Sequence, residues 1–249
     1  MKQNTPRYAV IMGATSGIGL SVTRLLAQEG WKVGLAGRNK EMLEKLKQTM
    51  NEVVAIAAID ARTTDAGHQL NSLFLSMGHP VNLYFHSAGI GWNNITLDSA
   101  HEMDTVSTNV EGFTRCILTA YQYFATYCNG NGHIAAITSI AGTKGLGSAP
   151  SYSASKRYQS HYLEALEQNA RMKGLSLRIT DIQPGFVKTP LLKGNNYPML
   201  LNVDKTAQAI VKVLKHPKRR AVIDWKYRLL VFFWKFIPSY LWVRMNIRK

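Results

Sequence analysis

Tyr8-Ala-Val-Ile-Met12 runs directly into Gly13-Ala14-Thr15-Ser16-Gly17-Ile18-Gly19, and an apolar-periodic segment follows from Leu20 to Glu29. The short apolar run predicts a buried strand and the periodicity after it predicts a helix, so the unit is strand, glycine turn, helix. Glycines let a backbone turn sharply and approach a pyrophosphate closely. The free N–H groups at the helix start, with the helix dipole, stabilise negative charge there. The spacing G-x-x-x-G-x-G differs from the commoner G-x-G-x-x-G, and glycines alone are weak evidence; their place between a strand and a helix carries more weight.

Outward from this unit the alternation continues. Lys32–Ala36 predicts a second strand, with Arg38 at its end, 19 residues past Gly19. An acidic residue there would bind the ribose 2′-hydroxyl of NAD, whereas an arginine attracts the 2′-phosphate of NADP. Helices over 40–50 and 65–77 and strands over 53–59 and 81–86 imply a parallel sheet covered on both faces. Asp60-Ala61 and His86-Ser87-Ala88-Gly89 follow the third and fourth strands. A long helix is predicted over 99–127, with Asn109 inside it. A fifth strand over 133–138 ends at Ser139. A sixth over 175–182 leads to Pro184-Gly185-Phe186-Val187-Lys188-Thr189, and a helix over 204–214 and a short strand over 221–223 complete the sheet. The fold class is α/β, a Rossmann-like doubly wound parallel sheet of about seven strands whose carboxyl edge binds ligand.

On the helix predicted over 151–172, Tyr152 and Lys156 are four residues apart, which places them on one face about 6 Å from each other. A tyrosine with its ordinary pKa of about 10 shuttles protons poorly near neutrality unless a cation favours the phenolate. An exposed helix face carries such pairs too, so the pair needs the other motifs beside it.

With Gly13/Gly17/Gly19, Asp60, Ala88-Gly89, Asn109, Ser139, Tyr152, Lys156 and Pro184-Gly185 with Thr189 in order, residues 7–223 resemble the short-chain dehydrogenase/reductase family. The resemblance implies an NADP-dependent oxidoreductase moving hydride between NADPH and a carbonyl or alcohol. It makes Tyr152 the general acid, Lys156 the group that lowers the Tyr152 pKa and holds the nicotinamide ribose, and Ser139 the hydrogen-bond partner of the substrate oxygen. Asn109 would hold a water of the proton relay. Gly13, Thr15, Ser16, Gly17, Ile18, Gly19, Arg38, Asp60, Ala61, Ser87, Ala88, Gly89, Pro184, Gly185, Val187 and Thr189 would line the cofactor. Two positions depart from the family: Met12 stands where members often carry Thr, and His86-Ser87 where they often carry Asn-Asn. A rival from another class is an NADP-binding sensor or scaffold without turnover, which the intact Ser139, Tyr152 and Lys156 oppose.

The remaining composition bounds partners. The 249 residues suit one α/β domain over 1–225, followed by a basic aromatic tail over 226–249. No signal-peptide pattern opens the chain, so a cytoplasmic protein is expected. Cys116 and Cys128 lie about 18 Å apart on one predicted helix, too far for a disulfide. The seven histidines show no metal-ligand spacing, and no metal is expected. The net charge of +15 is concentrated in residues 205–249, which hold 12 Lys or Arg against the single acid Asp224. The segment after Thr189 lies where the resemblance implies a loop closing over the substrate, and its Leu191, Leu192, Tyr197, Met199, Leu200 and Leu201, with Trp92, Leu146 and Phe186, point to a hydrophobic or 3-oxoacyl substrate. The run from Leu229 to Val243 is too short to span a bilayer. An interfacial anchor on an anionic membrane, a contact in a homodimer or homotetramer, and packing on the chain's own core are the three uses open to it. Its aromatics, grouped with aliphatics, do not suit nucleic acid.

Overall fold

A computed structural model describes residues 6–192 and 197–247. Strands β1 (Tyr8–Met12), β2 (Lys32–Gly37), β3 (Val53–Ala58), β4 (Leu83–His86), β5 (Gly132–Ile137), β6 (Leu177–Gln183) and β7 (Arg220–Val222) form one sheet in the order β3-β2-β1-β4-β5-β6-β7. Every pairing is parallel. The doubly wound sheet expected from the alternation is present. Parallel strands joined by helical crossovers must be covered on both faces. Period-two alternation therefore sends β1 into two cores: Val10 and Met12 into one, Ala9 and Ile11 into the other.

The first core is closed by α3 (Ala66–Ser76), α5 (Phe113–Tyr127) and α6 (Pro150–Met172), through residues such as Leu70, Phe74, Phe113, Phe124 and Leu163. The second is closed by α1 (Gly17–Gln28), α2 (Lys40–Thr49) and α7 (Val203–Lys215), through Val22, Leu26, Leu43, Leu46, Ile210 and Leu214. Strand order reverses between β1 and β4, so the loops after these two strands diverge and open a crevice at the carboxyl edge.

One element differs from expectation. The helix predicted over 99–127 is interrupted: α4 (Ser99–Val106) passes into a π-helical stretch, Ser107–Gly112, before α5 begins. Gly112 allows the close approach this needs, because a Cβ there would stand 2.8 Å from the Ala61 carbonyl oxygen. The tail folds into α8 (Trp225–Phe236) and α9 (Ser239–Trp242). Tyr227 and Val231 of α8 form a third small core with Ile140. The Trp242 indole donates to the Gly145 carbonyl at 2.7 Å, and Lys144 donates to the Ile237 carbonyl at 2.7 Å.

Candidate active site

The crevice is a cavity of about 910 Å³. Its floor is the turn after β1. Gly13 has φ +85°, and a Cβ there would meet the Ala88 nitrogen at 2.6 Å, while one on Gly19 would fall on the Gly13 carbonyl oxygen. Side chains at these positions would close the crevice. The N-terminus of α1 opens on this floor without a side-chain cap on Ser16 and without an acidic residue in its first turn. Its amide groups and dipole thus remain available to an anionic ligand, which is the requirement for a dinucleotide pyrophosphate.

Of the sequence-predicted cofactor residues, Gly13, Thr15, Ser16, Gly17, Ile18, Arg38, Asp60, Ala61, Ser87, Ala88, Gly89, Pro184, Gly185, Val187 and Thr189 all line the cavity. Gly19 lies beneath it as a packing requirement. Arg38 is exposed at the rim. Asp60 is held by Arg62, a residue the motif reading missed: Arg62 contacts Asp60 at 2.6 Å and reaches Asp104 at 2.8 Å. That hydrogen bonding holds the Asp60 carboxyl below the usual carboxylate range. His86 lines nothing. It is buried, with Nδ1 2.9 Å from the Tyr84 hydroxyl and its ring edge-on to Phe113, and burial lowers its pKa to about 3, so it is neutral.

Ser139, from the loop after β5, and Tyr152 and Lys156, both from α6, line the same cavity. Ser139 lies two residues beyond β5 and its Oγ accepts from the Ala141 N–H at 3.1 Å, capping a short 3-10 turn, Ile140–Thr143. Tyr152 and Lys156 share one face of α6, and the Lys156 Nζ lies 5.7 Å from the centre of the Tyr152 ring. A Cβ on Gly91 would lie 2.5 Å from that ring, so the loop after β4 presses against the tyrosine.

The electrostatics correct one expectation. The Tyr152 pKa is raised, because burial disfavours the phenolate; the opposing influence comes from the Ser139 hydroxyl and not from Lys156. Lys156 has turned to other partners: its Nζ donates to the Ile137 carbonyl at 3.2 Å and to Gln159 Oε1 at 2.9 Å. Burial lowers its pKa to about 8, with Asp181 acting in the opposite sense. Asp181 accepts from Thr138 and Gln183 behind the site.

Asn109 does not reach the cavity. From the π-helical stretch its side chain accepts from the Ile90 N–H at 2.9 Å and donates to the Ile90 carbonyl at 2.7 Å and to Ser155 Oγ at 3.1 Å. Its own carbonyl accepts from Gln159 Nε2 at 2.9 Å. The fully buried Gln159 carboxamide therefore stands between Lys156 and the Asn109 carbonyl, the place the expected relay gives to a water. Sequence reading missed Gln159, although its position three residues after Lys156 on a helix could have flagged it.

The far end of the cavity is apolar. Trp92, Leu146, Phe186, Leu191, Leu192, Tyr197 and Met199 line it, as do Tyr227, Leu230 and Trp234 of α8. The buried Tyr227 hydroxyl donates to the Pro198 and Met199 carbonyls at 3.2 and 3.1 Å and accepts from the Phe186 N–H at 3.1 Å, fastening the lid to α8. Residues 193–196 of the expected lid, and 248–249 of the expected tail, lie outside the described residues.

A parallel sheet with a glycine-floored crevice at its switch point and a Ser-Tyr-Lys wall defines an α/β oxidoreductase. The chain matches the family model described as short chain dehydrogenase over residues 7–199, and it belongs to that family. An uncharacterized oxidoreductase of Myxococcus xanthus is 28% identical over 247 residues, covering 96% of each chain. Among solved structures, a short chain dehydrogenase from Burkholderia cenocepacia in complex with NADP matches with a TM-score of 0.81 at 20% identity, covering 97% of this chain and 98% of the other. Actinorhodin polyketide ketoreductase with NADPH matches with a TM-score of 0.74 at 24% identity, covering 90% and 97%. At these identities the likeness to the two structures is one of fold. Among the described residues no helix is long and apolar enough to cross a membrane.

Proposed function

We propose that the protein is an NADP-dependent reductase of an apolar or acyl-type ketone, such as a 3-oxoacyl lipid. The observation that carries this reading is the meeting of Ser139, Tyr152 and Lys156 on one wall of a cavity whose floor is the Gly13–Gly19 turn. NADPH held there would supply the hydride for the carbonyl carbon. Thr15, Ser16, Gly17 and Ile18, with the start of α1, would hold its pyrophosphate, Asp60 the adenine, and Arg38 at the rim the 2′-phosphate; all six line the cavity. Tyr152, kept protonated by burial, donates its proton to the carbonyl oxygen, and Ser139 hydrogen-bonds that oxygen as charge develops on it. Lys156 contributes a fixed positive charge beneath the site. Support for NADP comes from Arg38 and from the cofactors of the two solved relatives. Support for an apolar ketone comes from the aromatic and aliphatic far end of the cavity.

The test is NADPH oxidation by purified protein over a panel of ketones graded in chain length. The reading expects turnover that improves with apolar length; tight NADPH binding with no turnover of any member would favour a sensor or scaffold. Arg38→Asp is expected to reduce the preference for NADPH over NADH by about tenfold or more, the loss of a charge-assisted phosphate contact. An unchanged ratio of kcat/KM values would assign the 2′-phosphate to another group.

A further inference from the structure

Helix α8 has two apolar sides separated by basic residues, and only one of the two is covered. Tyr227, Leu230, Val231 and Trp234 face inward, onto the cavity and the small core around Ile140. On the opposite side Trp225, Leu229, Phe232, Phe233 and Phe236 are 49–69% exposed. At 3.6 residues per turn these five fall on one stripe about 100° wide. Lys226 lies on one shoulder of the stripe, Arg228 and Lys235 on the other. Beyond Pro238 the exposed surface continues through Tyr240, Leu241 and Val243, with Arg244 beside them.

Charge decides what covers this face. Residues 225–249 carry six Lys or Arg and no Asp or Glu. A two-fold contact between copies would place the same cationic face against itself with no carboxylate of the segment to pair it, which is unfavourable. A partner that is anionic at its surface and apolar just beneath meets both properties. At 12 residues, α8 is about 18 Å long, far short of a bilayer, but suited to lie in its interface with aromatic rings at headgroup depth and cations among the phosphates.

We propose that the outer face of α8 and the segment after it seat on an anionic lipid bilayer, and that the cavity walled by the inner face of the same helix takes its substrate from that bilayer. The substrate class is an amphiphile with a carbonyl near its polar end and an apolar chain. This part rests on the reductase reading above; the membrane contact itself does not. One helix then has two functions: its outer aromatics fix the orientation of the protein on the membrane, and its inner side chains, with the lid that Tyr227 fastens, face the substrate chain.

Full-length protein is sedimented with vesicles of phosphatidylcholine alone and with vesicles one-third phosphatidylglycerol. Affinity for the anionic vesicles is expected to be higher by about tenfold or more and to fall with added salt. A double variant, Phe232→Ser with Phe233→Ser, replaces no residue that lines the cavity. It is expected to lose about tenfold in vesicle affinity while oxidising NADPH normally with a short, water-soluble ketone, and to lose turnover of a long-chain ketone presented in anionic vesicles. Absent or charge-indifferent vesicle binding, or wild-type binding by the double variant, overturns the proposal. So does sedimentation analysis in which the wild type is an oligomer without lipid and the double variant a monomer, since the stripe would then be a contact between copies. Vesicle binding without turnover of any ketone would keep the membrane contact and refute the reductase reading.

Discussion

Tyr152 and Lys156 lie four residues apart, so their shared face was legible from helix geometry, whereas the environment of each was not. The phenolate is disfavoured by burial, and the lysine charge is spent on Ile137 and Gln159. Gln159 escaped the sequence because its meaning depends on Asn109, 50 residues earlier in the chain. A carboxamide can orient an ammonium but does not pass protons as water does. The groups facing Lys156 are Tyr152 on α6, Asp181 on β6 and neutral His86 on β4. With the folded pKa near 8, the charged form is lost as pH rises through that value, and kcat/KM for reduction is expected to fall there. Gln159→Leu removes an acceptor from the buried ammonium and should move this alkaline limb down by about one pH unit; Gln159→Glu should move it up by about as much. If the limb stays in place in both variants, Gln159 serves packing alone. Arg62 was missed for the same reason, since its second partner, Asp104, is 42 residues away.

At the scale of elements, nearly every strand and helix could be placed from apolar runs and glycine punctuation, because parallel strands buried on both faces read as continuous hydrophobic stretches. The π-helical stretch could not. Its wider turn leaves no mark on local propensity, and within it Asn109 bonds Ile90, a partner 19 residues earlier in the chain. Two strands also carry a pH liability. His86 on β4 and His133 on β5 are buried and neutral, with pKa values lowered by burial to about 3 and about 4. Below their ordinary value of 6.5 the unfolded chain takes up protons that the folded one refuses, so stability is full above pH 6.5 and declines as pH falls toward 4. A loss on the order of 2 kcal/mol from each by pH 5 is expected. Urea midpoints measured from pH 7.5 to 5 should fall accordingly, and His133→Val should flatten the slope. A midpoint independent of pH over that range would mean that both rings find a way to charge in the folded state.

For the whole molecule, the switch point between β1 and β4 decides where everything else must go. The glycine turn, Asp60, Ser139 and Thr189 belong to different loops, and only the strand order brings them to one crevice. That convergence was legible because each residue follows a strand at the same edge. The far wall was not. Residues 226–249 read as a tail, since aromatic and basic residues specify an interface without saying with what. In the fold, Tyr227 packs against Gly185 so closely that a Cβ at that glycine would fall on the ring, and the helix that carries it becomes part of the cavity. The chain's own core covers one side of α8 and leaves the other side open. The glycine-floored crevice, the Ser139-Tyr152-Lys156 wall and the apolar pocket thus form one continuous space, in which Tyr152 is the proposed proton donor. The most direct measurement compares Tyr152→Phe with the wild type in steady-state NADPH oxidation on the best ketone of the panel, with NADPH affinity measured by fluorescence for both. A fall in kcat of about 10²–10⁴-fold with NADPH affinity preserved is predicted; near-normal turnover by the phenylalanine variant would contradict it.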